Sequence, residues 1–246
     1  MTDVGLVRKI NEDSYATVES ENYSYAIVAD GMGGHLAGEV ASMMAVQTIR
    51  EYISEHLSED LDKFQIKELL CRAFRYANEK IFEYSCNNES VMGMGTTTTL
   101  CFVKDGYLIF AHVGDSRAYM IDNNSIRQIT RDHSYVQELV KLGMITPEEA
   151  KRHPNRNQIT RAMGVELTVR VDSGISSYSG QTLMLASDGL FGEIDDEEIR
   201  ELIEEYGADA VQRLVDLALE RGGRDNITAI IMEEGSRDDM KGEGDK

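Results

Sequence analysis

YSYAIVAD, residues 23–30, is an apolar run that stops at Asp30 and turns through Gly31-Met32-Gly33-Gly34. Aromatic and β-branched residues inside it and a glycine signal behind it read as a buried strand. TLMLASD, residues 182–188, ends the same way, on Asp188 followed by Gly189. A third apolar run, ITAIIM at 227–232, is opened by Arg224-Asp225-Asn226. A carboxylate at the end of a buried strand costs free energy unless its charge is compensated. Taken singly, each aspartate can simply start a turn, as Asp-Gly routinely does. Together they point to several carboxylates converging on a hard metal cation.

Outward from these runs, the order of elements excludes an alternating parallel architecture. The first 30 residues read as strand, turn, strand, strand. Helical spacing of apolar residues follows over 37–57 (Val40, Met43, Met44, Val46, Ile49) and over 62–84 (Phe64, Ile66, Leu69, Leu70, Ala73, Phe74, Ala77, Ile81, Phe82). Closely spaced strands come next, at 96–103, 107–113, 117–121 and 125–130, with Asp105-Gly106 joining the first two as a hairpin. Residues 133–163 are less regular, with helical stretches near 134–142 and from Pro147. Strands return at 168–176 and 181–187, then helices at 196–206 and 208–221, and the final strand. Asp195 or Asp196 can cap the first of these helices, with Glu198 three residues after Asp195. Runs of strands broken by helix pairs fit two mainly antiparallel sheets packed together, with a helix pair on each outer face. The fold class is α+β. The tail, 235–246, is charged and reads as disordered.

Composition narrows the function classes. The chain has 246 residues, is 41% hydrophobic and carries two prolines. No stretch approaches the roughly 20 apolar residues that span a bilayer. The N-terminus lacks an apolar signal-peptide core, so a cytoplasmic location is expected. The formal charge of −19, from 44 acidic and 25 basic residues, argues against nucleic acid as a partner, because such binding rests on Lys and Arg neutralising phosphates. Cys71, Cys86 and Cys101 are too widely spaced for a disulfide framework or a C-x-x-C site, and read as reduced thiols.

Asp30, Asp188 and Asp225 are the candidate metal ligands. Oxygen donors without His or Cys favour Mg²⁺ or Mn²⁺ over Zn²⁺. Gly31 lets the backbone approach such an ion, so its carbonyl can join the set. Asp115, in HVGDSRAY (112–119), also follows an apolar run and a glycine; a local ion pair with Arg117 is the competing explanation. Arg8 can grip two phosphate oxygens in fork geometry, or pair locally with Glu12 or Asp13. Glu12 or Asp13 can hold a metal-bound water from outside the ligand set.

Several chemistries are absent. The 31–38 glycines lack the Lys-Ser/Thr of a P-loop, and Leu36 breaks a G-x-G-x-x-G. The sixth position after each cysteine is Ala77, Met92 or Tyr107, never the arginine of a cysteine-nucleophile phosphatase loop. Asp60-Leu61-Asp62, followed by Lys63-Phe64, lies between helices and matches an aspartyl-phosphate strand motif poorly.

The chain resembles the metal-dependent Ser/Thr protein phosphatases of type 2C, in their compact bacterial form. The resemblance is carried by GLVRKINEDS (5–14), VADGMGGHLAGE (28–39), GTTTT (95–99), HVGDSRAY (112–119), TRDHS (130–134), NQITRAMG (157–164), LASDGLF (185–191) and GGRDNIT (222–228), in the family's order and over nearly the whole chain. It implies a four-layer α-β-β-α sandwich, a catalytic domain over 1–234, and a mobile flap at about 134–163. Asp30 would bridge two ions of Mn²⁺ or Mg²⁺, with Gly31 ligating through its carbonyl and Asp188 and Asp225 completing the set. Asp115 would help Asp188 hold a third, weaker ion, and Arg8 would hold the substrate phosphate. A hydroxide bridging two metals ~3.5–4 Å apart would attack phosphorus directly, with no phosphoenzyme. The implied partners are phosphorylated proteins, a Ser/Thr kinase among them, and the implied state is a monomer with no membrane association. Where eukaryotic relatives carry a histidine two residues after the bridging aspartate, this chain has Met32. His35 stands nearby instead, and its roles as general acid or as a structural residue both stay open. The remaining histidines, His56, His112, His133 and His153, read as structural or surface residues. A catalytically weak phosphoprotein-binding module and a hydrolase of small phosphoesters are the alternative functions.

Overall fold

The structure, a computed structural model, describes residues 1–33, 37–122 and 124–233. His35 and the 235–246 tail lie outside the described residues. The strands are β1 (Thr2–Asp3), β2 (Asp13–Glu19), β3 (Ser24–Met32), β4 (Gly95–Thr96), β5 (Thr98–Lys104), β6 (Tyr107–Val113), β7 (Arg117–Asp122), β8 (Ser125–Gln128), β9 (Asp172–Ser177), β10 (Thr182–Ala186) and β11 (Ile227–Met232). The helices are α1 (Ala37–His56), α2 (Lys63–Asn87), α3 (Tyr135–Lys141), α4 (Pro147–Lys151), α5 (Asp188–Phe191), α6 (Asp196–Tyr206) and α7 (Ala210–Glu220). One sheet has the order β1-β11-β10-β7-β8; the other runs β2-β3-β5-β6-β9, with β4 paired to β3. Every strand pair is antiparallel.

The uninterrupted apolar runs are explained by burial on both faces. In β3, Tyr25, Ile27 and Ala29 point into an apolar layer shared with α1 and α2. The alternate residues Ala26 and Val28 point into a second layer, against Leu183 and Leu185 of β10 and Ile230 of β11. In β10 the other face, Met184 and Ala186, meets Ile199 and Ile203 of α6 and Leu214 and Ala218 of α7. A period-2 strand with both faces covered has no polar positions to alternate with. Three apolar layers separated by two sheets make the α-β-β-α sandwich.

Local signals hold where they are covalent neighbours. Asp62 caps α2 by accepting from the Phe64 and Gln65 amides, with Gln65 reaching back in a capping box. Asp195, rather than Asp196, caps α6, reciprocally with Glu198. Asp105 and Gly106 both adopt positive φ (50° and 74°), as a two-residue hairpin between twisted strands requires. Cys71 and Cys101 are buried free thiols, whereas Cys86 is exposed.

Four boundaries differ from the sequence reading. The β3 strand does not stop at Asp30; it continues to Met32 because Gly31 and Met32 pair with Thr96 and Gly95. The expected strand at 96–103 is divided at Thr97 into β4 and β5. The strand expected from 168 begins only at Asp172, where pairing with His112 starts. Asp188 opens not a turn but the short helix α5, behind Ser187 at its N-cap position.

Candidate active site at one end of the sandwich

The candidate residues are delivered by loops at the strand ends of both sheets. Asp30 stands within β3, with Asp13 of β2 directly opposite in register. Asp115 follows β6, Asp188 follows β10 and Asp225 precedes β11. Burial, then the charges of Asp13, Asp188, Asp115 and Asp225 in that order, push the Asp30 carboxyl well above the usual carboxylate range. Asp188 is raised by burial and by Asp225, and is eased by a hydrogen bond with Asp30. Asp115 is raised by burial and by Asp188. Asp13 is raised by burial although it accepts from the Ser187 hydroxyl at 2.7 Å. The five aspartates form one electrostatic unit. Buried like charges at this density need a cation or shared protons.

Arg8 stands at the rim with its side chain about half exposed. Its Nη2 donates to Asp225 Oδ2 at 2.7 Å, not to Glu12 or Asp13 as local pairing predicts. Asp225 raises the Arg8 guanidinium further through that bond. Arg117 likewise bypasses Asp115: it forms a fork with Asp132, Nη2 to Oδ2 at 2.7 Å, and lies over the Phe191 ring. The ion pair that would have explained Asp115 structurally is therefore spent elsewhere.

Oxygen donors dominate the cluster, and three buried carboxylate oxygens in it have no hydrogen-bond partner: Glu12 Oε1, Asp13 Oδ1 and Asp115 Oδ1. Unpaired acceptors of this kind fit a hard divalent cation and its waters. Among the described residues no three acidic, His or Cys side chains are yet closed to ligand geometry. Asp225 is turned to Arg8, and the Asp30 and Asp188 carboxyls share a hydrogen bond. Gly31 leaves no room for a side chain: a Cβ there would stand 2.0 Å from the Gly38 carbonyl and 2.7 Å from that of Glu12.

Several supporting residues have no signature in spacing. Thr97 holds Asp30 from both sides: its N–H donates to Asp30 O at 2.8 Å and its Oγ1 accepts from Asp30 N–H at 3.0 Å. The same hydroxyl meets Ser116 Oγ at 2.6 Å, one residue beyond Asp115. His133 clamps Gly114: its Nδ1 accepts from the Gly114 N–H at 2.9 Å, and its own N–H donates to Gly114 O at 2.7 Å. Asp172, opposite His133 Nε2 at 3.2 Å, also pairs with Arg161 at 2.8 Å. The signal available for Thr97 was the run of four threonines at 96–99, all fully buried, since a polar run in a core strand needs partners.

The family model for protein phosphatase 2C matches residues 7–225. The chain belongs to that family, and it is a serine/threonine phosphatase of a class whose mechanism is metal-dependent. The serine/threonine phosphatase stp of Listeria monocytogenes is 37% identical over 236 residues, covering 94% of this chain and 93% of that protein. The protein phosphatase PhpP of Streptococcus pneumoniae is 38% identical over 237 residues, at 94% and 95% coverage. Among solved structures, serine/threonine phosphatase Stp1 of Staphylococcus aureus superposes with a TM-score of 0.89 at 37% identity, covering 96% of this chain and 94% of that one. The Mycobacterium tuberculosis phosphatase PstP/Ppp does so at 0.86 and 35% identity, with 96% and 97% covered.

Proposed function

We propose that residues 1–234 form the catalytic unit and that its aspartate cluster holds Mn²⁺ or Mg²⁺, two ions in the core site and a third, weaker one. In this reading Asp30, the Gly31 carbonyl, Asp188 and Asp225 would hold the core ions, and Asp115 with Asp188 would hold the third. The observation that carries it is the convergence of five aspartates, with three orphaned carboxylate oxygens in and beside them, at the meeting of both sheets. Metal held there would supply charge that acidifies water and offsets the negative charge of the phosphate.

The chain's own residues do the rest. Arg8, at the rim and half exposed, grips the phosphate of a phosphoserine or phosphothreonine. Glu12 and Asp13 aim their unpaired oxygens to accept hydrogen bonds from ordered water and so orient it. Cysteine takes no part: burial pushes the Cys101 thiol up to about 12, Cys71 is also buried, and the exposed Cys86 lies at the C-terminal end of α2, with no arginine at the sixth position after it. Water then displaces the alcohol directly, without a phosphoenzyme. His35 is retained as a candidate proton donor to the leaving alkoxide.

Substrates are phosphorylated proteins, and we include a Ser/Thr kinase among them. The flap at about 134–163, which carries α3 and α4, governs their choice. No described helix is long and apolar enough to cross a membrane, and the net charge of −19 disfavours nucleic acid as a partner; the reading is completed by a monomer in the cytoplasm. The test is turnover of a phosphothreonine peptide after exhaustive chelation and again after Mn²⁺ or Mg²⁺ is restored. Activity is expected only in the second case, with kcat lowered roughly a hundredfold or more in Asp30→Asn and Asp188→Asn. Full turnover without metal, or unchanged metal stoichiometry and affinity by calorimetry in both variants, would overturn the assignment.

A further inference from the structure

We propose that Asn226 is the positioning residue of Arg8, an inference that rests on reading Arg8 as the phosphate-binding group. Residues 4–12, between β1 and β2, carry Arg8 on a stretch with no sheet partner of its own. Asn226 is 4% exposed and its side-chain amide closes that stretch into a loop. Its Nδ2 donates to Val4 O at 2.9 Å and to Ile10 O at 2.9 Å, while its Oδ1 accepts from the Glu12 N–H at 2.8 Å. Both amide hydrogens are used, and the three contacts bracket Arg8 on either side. The Asn226 backbone N–H donates to Asp225 Oδ1 at 2.9 Å. One residue therefore ties the arginine loop to the loop of a proposed metal ligand.

The surrounding glycines show how close this junction is. Gly5, at φ +79°, leaves space for no side chain: a Cβ would stand 2.2 Å from Asp225 O and 2.8 Å from Gly223 O. Leu6 N–H then donates to Gly223 O at 2.7 Å. On the other side, a Cβ on Gly189 would stand 2.0 Å from Asn226 O. Asn226 is thus the crossing point of the loops that carry Arg8, Asp188 and Asp225. The Arg8 side chain, by contrast, is 48% exposed and makes one hydrogen bond, to Asp225. Among the described residues the guanidinium has no other hydrogen bond or ion pair, so its direction rests on Asp225 and on where the backbone delivers Arg8. Asn226 governs the second and, through its N–H to Asp225 Oδ1, steadies the first.

The test uses the metal-loaded enzyme and a phosphothreonine peptide, with Arg8→Ala, Asn226→Ala, the double variant and Asn226→Ser. A misplacement of about an ångström can cost up to a hundredfold, so Asn226→Ala is expected to raise KM roughly ten- to a hundredfold, with kcat within about threefold of wild type. In the double variant KM should be no worse than in Arg8→Ala alone, because the lost contact is the same one. Asn226→Ser keeps a small polar side chain that is too short to span to Val4, Ile10 and Glu12, and should give the same signature. It decides the matter if Asn226→Ala does not fold. Effects that multiply independently in the double variant would overturn the proposal, as would a loss of kcat and of Mn²⁺ affinity at unchanged KM, which would place the action of Asn226 on Asp225. An unchanged KM in Arg8→Ala would remove the phosphate reading of Arg8 and this proposal with it. A raised KM there beside independent Asn226 effects would remove this proposal alone.

Discussion

Replacing Thr97 by valine should loosen Asp30 without touching a proposed ligand. The substitution keeps the β-branched shape and the volume of a fully buried side chain, so the change is purely polar. It removes the acceptor of the Asp30 N–H (3.0 Å) and the partner of the Ser116 hydroxyl (2.6 Å). A buried donor left unpaired costs about 1–3 kcal/mol, and the lost hydroxyl pair adds about 1 kcal/mol. At about 2–4 °C per kcal/mol for a chain of this size, the metal-free protein should lose roughly 5–15 °C in Tm. The Mn²⁺ concentration for half-maximal activity should rise as well, because Asp30 is no longer fixed on its N-terminal side. Thr98→Val is the matched control: that hydroxyl donates only to the neighbouring Thr97 O, at 2.6 Å, and its loss should cost no more than about 1 kcal/mol. Calorimetric unfolding and metal titrations of kcat/KM on both variants decide the question. If Thr97→Val matches Thr98→Val in both measurements, the hydroxyl does not hold Asp30.

Three further outcomes are expected. Arg8→Ala should mainly raise KM for a phosphopeptide, by roughly one to two decades for a lost charge-assisted contact of about 1.5–3 kcal/mol, and lysine should restore it only in part because a point charge cannot reproduce the fork; unchanged kinetics would leave Arg8 as a partner of Asp225 alone. Burial, followed by the neighbouring His133, lowers His112 from 6.5 to about 3, so the unfolded chain takes up that proton first and stability should fall as pH drops from about 6.5 toward 3; His112→Gln should flatten this part of the denaturation-against-pH curve relative to wild type, and parallel curves would refute the burial argument. Substitutions at the exposed flap positions Lys141, Glu148 and Arg156 should change kcat/KM for a phosphoprotein while sparing a small aryl phosphate; parallel losses on both substrates would mean that the segment supports the metal site.

The layers and the aspartates were legible because each is written in contiguous residues. Apolar runs closed by glycine announced β3 and β10 as buried strands, and the capping box of Asp195 lies within four residues. Pairing choices were not legible, because they are settled between segments far apart. Arg117 prefers Asp132, fifteen residues on, to Asp115, two residues away. Arg8 reaches Asp225 across most of the chain. The division between β4 and β5 depends on Thr97 finding Asp30, which no window around the threonines contains. The same holds for Asn226, whose partners lie at Val4, Ile10 and Glu12.

The apolar layer between the two sheets has a second consequence. Asp30 lies in a strand of one sheet and Asp115 follows another of its strands, whereas Asp188 follows a strand of the other sheet and Asp225 precedes one. The side chains separating the sheets, among them Ala26, Val28, Ala118 and Leu185, therefore act as a spacer that sets how far apart the two halves of the ligand set stand. Facing sheets lie about 10 Å apart, a distance tuned by side-chain size. Enlarging Ala26 or Ala118 would widen the gap at its base, and a divalent ion that tolerates only a few tenths of an ångström in its bonds would register the change. On the proposed ligand assignment, the fit of the middle layer and the affinity for metal would be one property, and substitutions that never approach the aspartates would retune the chemistry they carry out.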